Sequence, residues 1–256
     1  MTAGECGRKE TAMISRGKLS RAGDWILHLF LPNRCMFCGT PIAYDRLRCE
    51  TCQRDAPRTD PSVCVVCEKK DCICHTAFDC ALAPFFYEMG VEKAVRDLKF
   101  HNNLLNARKL GQDMAECLRR SPAWGRVQLL IPVPLYDRDY WKRGYNQAEE
   151  LGKWVSRATG IPMDAEVLEK IRKTGKQHEL GARERRTNLT GAFRVSAPEK
   201  LRGKTVLLVD DVLTTGTTMD VCARALKESG AEGVICLAAA KTRKAALPAN
   251  SQPDCG

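Results

Sequence analysis

Two carboxylates followed closely by hydroxyls around one glycine, Asp210-Asp211 and then Thr214-Thr215-Gly216-Thr217-Thr218, are the side chains best suited to chemistry in this chain. They come after Val206-Leu-Leu-Val209, a short apolar run that reads as a buried parallel strand. A helix is expected to begin within the threonine run. Its first N–H groups and the positive end of its dipole then face whatever the turn holds. That arrangement suits a phosphate monoester, with threonine hydroxyls as further donors and Gly216 letting the backbone come close. The acids cannot favour a phosphate and need another partner. Ribose hydroxyls, which donate hydrogen bonds to ionised carboxylates, meet that need. The residues alone therefore describe a site for a phosphorylated ribose.

A second chemistry lies upstream. Of the 14 cysteines, Cys35-x-x-Cys38, Cys49-x-x-Cys52, Cys64-x-x-Cys67 and Cys72-x-Cys74 fall in one short window. A pair two residues apart presents two thiolates to one tetrahedral zinc, and a series of such pairs points to two Cys₄ sites. A secreted disulfide framework is the competing reading. No convincing signal peptide precedes the cysteines and a sizeable nucleotide-type domain follows, so a reducing, cytoplasmic location is expected.

The formal charge is +10, from 41 basic and 31 acidic residues. Eight thiolates on two zinc ions would bring it to about +6. The excess sits after residue 80 and fits a polyphosphate substrate, with nucleic acid as a further possibility. The apolar stretch Trp25–Leu31 is too short to span a bilayer and carries His28, so no membrane insertion is expected.

The elements that must position these groups follow from the pattern along the chain. Residues 1–31 read as a disordered lead ending in a short amphipathic helix, 32–79 as a double zinc ribbon, 80–243 as the larger domain and 244–256 as a loose tail. With little apolar content, the ribbon segment is expected to be held by metal rather than by a core. Beyond it, Phe85–Tyr87 suggests a strand, and Val91, Ala94, Val95 and Leu98 recur at helical spacing. A second helix is expected from Leu104 to Leu118, and another from Asn146 to Thr159. Val127–Pro134, Val167–Ile171, Thr205–Val209 and Gly233–Ala240 read as strands, with a helix from Thr217 to Ser229. Strand and helix alternate, which predicts an α/β fold with a parallel, doubly wound sheet and ligands at the carboxyl ends of its strands.

Two further segments qualify for the site. Val133, Pro134 and Leu135 end a buried strand, with Arg138, Lys142 and Arg143 close behind, a basic strand end that can receive a diphosphate. The polar, basic stretch from Thr174 to Thr190, including Lys176, Gln177, Arg183 and Arg185, can close over a phosphate-rich ligand and exclude water. His178 within it reads as a surface residue rather than a general base.

The run from Val206 to Thr218 resembles the PRPP (phosphoribosyl pyrophosphate) motif of the type I phosphoribosyltransferases. The ordered series of cysteine pairs, Leu98-Lys-Phe100, Pro132-Val-Pro-Leu135, Arg143-Gly-Tyr-Asn-Gln147, Gln177, Arg185, Asn188 and Leu208–Gly216 is similar to the ComF family, competence-associated phosphoribosyltransferases with a double zinc ribbon. The resemblance implies a type I phosphoribosyltransferase-like sheet in which Asp210 and Asp211 hold the ribose and Thr214–Thr218 the 5′-phosphate. It implies a pyrophosphate loop at Val133, Pro134, Leu135 and Arg143, and a flexible loop at 174–190. Mg²⁺ would come with PRPP, and two zinc ions would sit on Cys35, Cys38, Cys49 and Cys52 and on Cys64, Cys67, Cys72 and Cys74. The family usually has Cys-x-x-Cys where this chain has Cys72-x-Cys74, which leaves His75 and Cys80 as alternative ligands. The family's link with natural transformation implies a part in DNA uptake, with single-stranded DNA and uptake proteins as partners. A PRPP- or nucleotide-sensing protein associated with single-stranded DNA and lacking transferase activity is the alternative.

Overall fold

The computed structural model describes residues 33–43, 46–70, 76–100, 103–136, 140–141, 143–172 and 191–243. The expected lead helix at Trp25–Leu31, Cys72, Cys74, His75, Arg138, Lys142, the loop residues Lys176, Gln177, His178, Arg183, Arg185 and Asn188, and the tail from 244 lie outside them.

The centre is a parallel sheet. Strand β6 (Thr205–Leu213) pairs with β3 (Leu129–Pro132) on one side and with β7 (Gly233–Lys241) on the other. Two short strands, β1 (Cys80–Leu82) and β2 (Phe85–Phe86), run one after the other along the outer edge of β7, also parallel. Side chains alternate between the two faces, as a pleated strand requires. Val206 and Leu208 of β6 join one core with Met219, Cys222 and Leu226, while Leu207 and Val209 join the other with Leu98, Leu110 and Leu151.

Helices cover both faces. Helix α1 (Glu50–Asp55) lies in the cysteine-rich segment, followed by α2 (Val91–Phe100), α3 (Leu104–Arg119), α4 (Gln147–Thr159) and α5 (Thr217–Glu228). Asn146 caps α4, its side-chain oxygen accepting from the Ala148 N–H, and Gly160 ends the helix in the left-handed region. Helices α2, α3 and α4 bury their apolar stripes on one face of the sheet, while α5 covers the other.

One expected element sits elsewhere. Residues near Val167–Ile171 do form a strand, β4 (Leu168–Lys170), but it pairs antiparallel with β5 (Phe193–Val195) in a separate two-stranded sheet. This antiparallel pair stands apart from the parallel alternation of the main sheet.

The cysteine-rich segment is also more than a metal-held appendage. Met36 and Phe37 are 4% and 3% exposed and belong to the same core as Leu82, Phe85 and Leu98. Phe37 meets Phe85 edge-on at 5.4 Å between ring centroids. Arg48 forms a bidentate, nearly buried ion pair with Asp113 of α3 and lies over the Phe37 and Phe85 rings. Lys109 of α3 is 1% exposed and donates to the Arg34 carbonyl at 2.9 Å and to Asn33 Oδ1 at 3.2 Å. Apolar contact and two charged clamps therefore seat this segment on the sheet domain, contrary to the expectation that metal alone would hold it.

Candidate functional site

Strand β6 gives way to α5 through residues 214–216. Asp210 and Asp211 lie inside β6 rather than just past its end, since the strand continues to Leu213. Their backbone is fixed by pairing with β7, where Asp210 faces Ala238 and Val212 faces Ala240. The Asp211 N–H donates to Asp210 Oδ1 at 2.8 Å, and the two carboxyls stay close enough to act on each other. Asp211 is 8% exposed and takes an ion pair from Lys99 Nζ at 3.2 Å. Withdrawal from water and the neighbouring Asp211 charge push the Asp210 carboxyl up to about 7, against the opposing pull of Lys99. Lys99 is raised in turn, first by Asp211 and then, more weakly, by Asp210.

The threonine loop is shaped for an anion. Gly216 has φ +81° and serves as the N-cap residue of α5 without a capping side chain of its own, while the Thr217 N–H donates to the Thr215 hydroxyl at 3.4 Å. Thr215 and Thr217 hydroxyls hydrogen-bond at 2.8 Å. The acid in the first turn of α5, Asp220, is turned inward, where it accepts from the Ala77 N–H at 2.6 Å. It is only 3% exposed. From beneath, Lys241 of β7 is 5% exposed and donates to the Thr214 carbonyl at 2.8 Å and the Thr242 carbonyl at 2.6 Å. Those contacts hold the Thr214 carbonyl toward the lysine, so that a nearby anion meets N–H and hydroxyl groups rather than this oxygen.

A cleft of about 380 Å³ brings the separate segments together. Its walls include Asp210, Asp211, Thr214, Gly216, Thr217 and Thr218, together with Val133, Pro134, Leu135 and Arg143. Thr215 stands beside it through its bond to Thr217. The strand end at Val133 is anchored by Asn146, whose side-chain amide donates to the Val133 carbonyl at 3.0 Å. The wall also holds residues to which the sequence pattern assigns no site role. Lys170 and Phe193 come from the antiparallel pair β4–β5, with Lys170 Nζ 5.7 Å from the Phe193 ring centroid, and Lys99 and Gln147 stand in the sequence only as parts of motifs. Nothing in a three-residue strand such as Phe193-Arg-Val195 signals a pocket wall. Lys99, four residues after Val95 on the apolar face of a helix, was the legible one.

Four thiols form the other candidate centre. The sulfurs of Cys35, Cys38, Cys49 and Cys52 lie within 4.8 Å of one another, and Cys38 and Cys49 are 3.6 Å apart. Tetrahedral zinc–thiolate bonds place sulfurs about 3.8 Å apart, so the set fits a zinc ion. A hydrogen bond with Thr40 at 3.2 Å pulls the Cys38 thiol down to about 6, toward the thiolate that zinc requires. The knuckle itself is defined by the Cys35 N–H bonded to the Thr40 carbonyl and the Gly39 N–H bonded to the Cys35 carbonyl, both at 2.9 Å.

The same geometry recurs at Cys64. Its N–H bonds the Lys69 carbonyl at 3.0 Å, and the Glu68 N–H bonds the Cys64 carbonyl at 2.7 Å. Glu68 takes φ +59°, as Gly39 takes +80° at the matching position. Hydrogen bonding with the Cys80 thiol at the start of β1 pulls Cys64 down to about 4. The two knuckles pack on opposite faces of the sheet, Cys35 in one core and Cys64 in the other.

A parallel sheet with an acid pair and a threonine–glycine loop at the carboxyl end of its central strand is the type I phosphoribosyltransferase fold, and the phosphoribosyl transferase domain family matches residues 148–254. The DNA utilization protein YhgH of Escherichia coli is 33% identical over 220 residues, covering 80% of this chain and 96% of that protein. Competence protein F of Haemophilus influenzae is 28% identical, over 78% of this chain and 81% of its own length. Competence protein ComFC of Bacillus subtilis is 30% identical over 102 residues, 40% of this chain and 39% of that protein. The chain belongs to the ComF family.

Among solved structures it is similar to a glutamine PRPP amidotransferase from Bacillus subtilis, with 22% identity, a TM-score of 0.35, and coverage of 51% of this chain and 25% of that one. A purine phosphoribosyltransferase from Pyrococcus horikoshii is similar at 19% identity and TM-score 0.32, covering 57% of this chain and 89% of that one. Among the described residues, no helix is long and apolar enough to cross a membrane.

Proposed function

We propose that this chain binds PRPP with Mg²⁺ as a phosphoribosyltransferase-like protein and serves DNA uptake and use. The observation that carries the reading is the convergence in one cleft of an acid pair, a helix start at Gly216 flanked by threonines, and basic groups from separate elements. Asp210 and Asp211 accept the ribose hydroxyls, Thr214–Thr218 take the 5′-phosphate, and Val133, Pro134, Leu135 and Arg143 border the diphosphate. Lys176, Gln177, Arg183 and Arg185 belong to a loop that closes over it. Mg²⁺ when bound neutralises diphosphate charge and helps pyrophosphate leave. In transfer, the bond from C1 of the ribose to the diphosphate oxygen breaks, pyrophosphate keeps the electron pair, and a nitrogen nucleophile bonds to C1 and loses its proton. Basic groups around the diphosphate stabilise the departing charge.

Zinc holds the knuckles rather than taking part in this chemistry. Cys35, Cys38, Cys49 and Cys52 supply one site. A second is proposed on the knuckle of Cys64 and Cys67, completed from Cys72, Cys74 and Cys80, and supported by the repeated knuckle geometry and the Cys64–Cys80 contact. The DNA utilization and competence names of the relatives support a part in handling incoming DNA, with single-stranded DNA and uptake proteins as partners and the cytoplasm as the place.

The direct test is calorimetry with PRPP and Mg²⁺ on wild type and on Asp210→Asn/Asp211→Asn. Hydrogen bonds to charged groups are worth roughly 1.5–3 kcal/mol each, so affinity should fall by at least about tenfold. Equal affinity in the two proteins would defeat the ribose assignment. PRPP binding without pyrophosphate release for any base tried would mark a sensor rather than a transferase.

A further inference from the structure

The helix that opens at the threonine–glycine loop is gripped from below by a short strap of the cysteine-rich segment. Residues 77–79 lead into β1, and each touches this part of the fold at a different point. The Ala77 N–H donates to Asp220 Oδ1 in the first turn of α5 at 2.6 Å. The Phe78 ring is 3% exposed and lies under the loop, where a Cβ on Gly216 would stand 3.8 Å from its Cε1 and Cζ. Asp79 accepts from Lys227 Nζ in the last turn of α5. The strap is itself fixed to the sheet. The Asp79 N–H donates to the Val234 carbonyl and the Val234 N–H to Asp79 Oδ2, both at 2.8 Å.

Asp220 is the member of this set that bears on the ligand. An acid in the first turn suits a helix dipole, but beside a bound phosphate an outward carboxylate would compete for the same N–H groups and repel the anion. Here the side chain is 3% exposed, its Oδ1 faces the Ala77 N–H, and its Oδ2 lies 3.7 Å from Arg224 Nη2. Burying a carboxyl is costly unless it is hydrogen-bonded, and this one joins α5 to a segment 143 residues earlier. The Asp220 N–H also donates to the Gly216 carbonyl at 2.8 Å. Fixing Asp220 therefore fixes the turn from which the first N–H groups of α5 point outward.

We propose that Asp220 is a positioning residue for the 5′-phosphate: it ties the first turn of α5 to the strap at Ala77 and holds the threonine–glycine loop in its binding shape, with its own carboxyl turned away from the anion. This deepens the PRPP reading above and rests on it. The cysteine-rich segment thereby shares in the ligand site without touching the ligand. A loop held in shape beforehand spares the ligand the cost of ordering it, and cutting the tie returns that cost to binding.

The experiment is calorimetry on the full chain with ribose 5-phosphate, PRPP and pyrophosphate, each with Mg²⁺. It compares wild type, Asp220→Ala, Asp220→Asn and Phe78→Leu under conditions where urea titration shows each to be folded. Asp220→Ala removes the acceptor of the Ala77 N–H, so ribose 5-phosphate and PRPP should bind roughly tenfold more weakly, while pyrophosphate, which has no monoester to seat, should change by less than about twofold. Asp220→Asn keeps an acceptor oxygen for Ala77 and should restore affinity to within about threefold of wild type. Phe78→Leu withdraws the ring from under Gly216 and should also weaken ribose 5-phosphate selectively; it decides the matter if Asp220→Ala does not fold. Unchanged ribose 5-phosphate affinity in the deciding variant would overturn the proposal. Equal losses for ribose 5-phosphate and pyrophosphate would do the same, since they mark a general loosening of the cleft. So would Asp220→Asn as weak as Asp220→Ala, which would make charge rather than the tie the cause. Wild type that binds neither PRPP nor ribose 5-phosphate would instead defeat the reading of the site on which the assignment stands.

Discussion

The acid pair makes PRPP binding depend on pH in a direction that can be worked out. In the free protein the upper titration step of the pair lies at about 7, assigned to Asp210, because its carboxyl is withdrawn from water and faces Asp211. Ribose hydroxyls donate to the ionised form, so the bound state favours loss of that proton. The carboxyl is therefore raised in the free protein and lowered in the complex. Affinity must then rise with pH up to about 7 and level off above it. With a step at about 7, roughly one pair in eleven is fully ionised at pH 6 and roughly ten in eleven at pH 8, an affinity gain of about tenfold. Calorimetry in buffers of different ionisation enthalpy should report release of about 0.9 proton per ligand at pH 6 and about 0.1 at pH 8. The ligand's own phosphate titrates near pH 6, to a second pKa of about 6, so the reference is Asp210→Asn, in which only the ligand's proton remains. The difference between the two profiles isolates the carboxyl. Superimposable profiles for wild type and Asp210→Asn would refute the assignment of a shared, raised titration to this pair.

Metal analysis of reduced protein should find zinc, with Cys38→Ser losing one ion; retention of full zinc content by that variant would rule out the Cys35–Cys52 site. Since Met36 and Phe37 share a core with Leu98 and Phe85, chelation should also lower the stability of the sheet domain, and an unchanged urea midpoint would contradict this shared core. Asp113→Ala leaves Arg48 buried without its partner and should destabilise by about 3–5 kcal/mol in denaturant titration, with a loss typical of a surface pair counting against the clamp. At Gly111 of α3 a Cβ would come within 2.5 Å of Trp154 Cβ on α4, so Gly111→Ala should cost about 1–3 kcal/mol despite its better helix propensity, and a gain in melting temperature would show that the helices can separate freely.

Much of this arrangement is legible in the chain because the signals are local. Val206–Val209 is continuously apolar because β6 is covered on both faces, and the Asp and Thr residues that follow it carry their chemistry in their types. Asn146 and Gly160 mark both ends of α4 as their capping preferences dictate. The strands at 80–82 and 193–195 escape notice because three residues show too little periodicity, and β1 and β5 are set by partners far away in sequence, Ile235 to Leu237 for one and Leu168 to Lys170 for the other. Residue composition also misleads in the cysteine-rich segment. Few apolar residues there suggest a module without a core, yet Met36 and Phe37 are enough when the core they enter belongs to the sheet. The same non-local logic governs the cleft. Lys99 and Gln147 are quoted easily from the sequence, but what they do depends on three contacts between α2 and the segment that opens α4: Tyr145 on the Leu98 carbonyl, Arg143 over Phe100, and Arg143 on Gln147. The threonine–glycine loop is written in consecutive residues because one backbone turn builds it. A cleft wall assembled from two helices is written only in their packing, and the Gln147 amide, whose Nε2 has no partner among the described residues, is the mark that packing leaves.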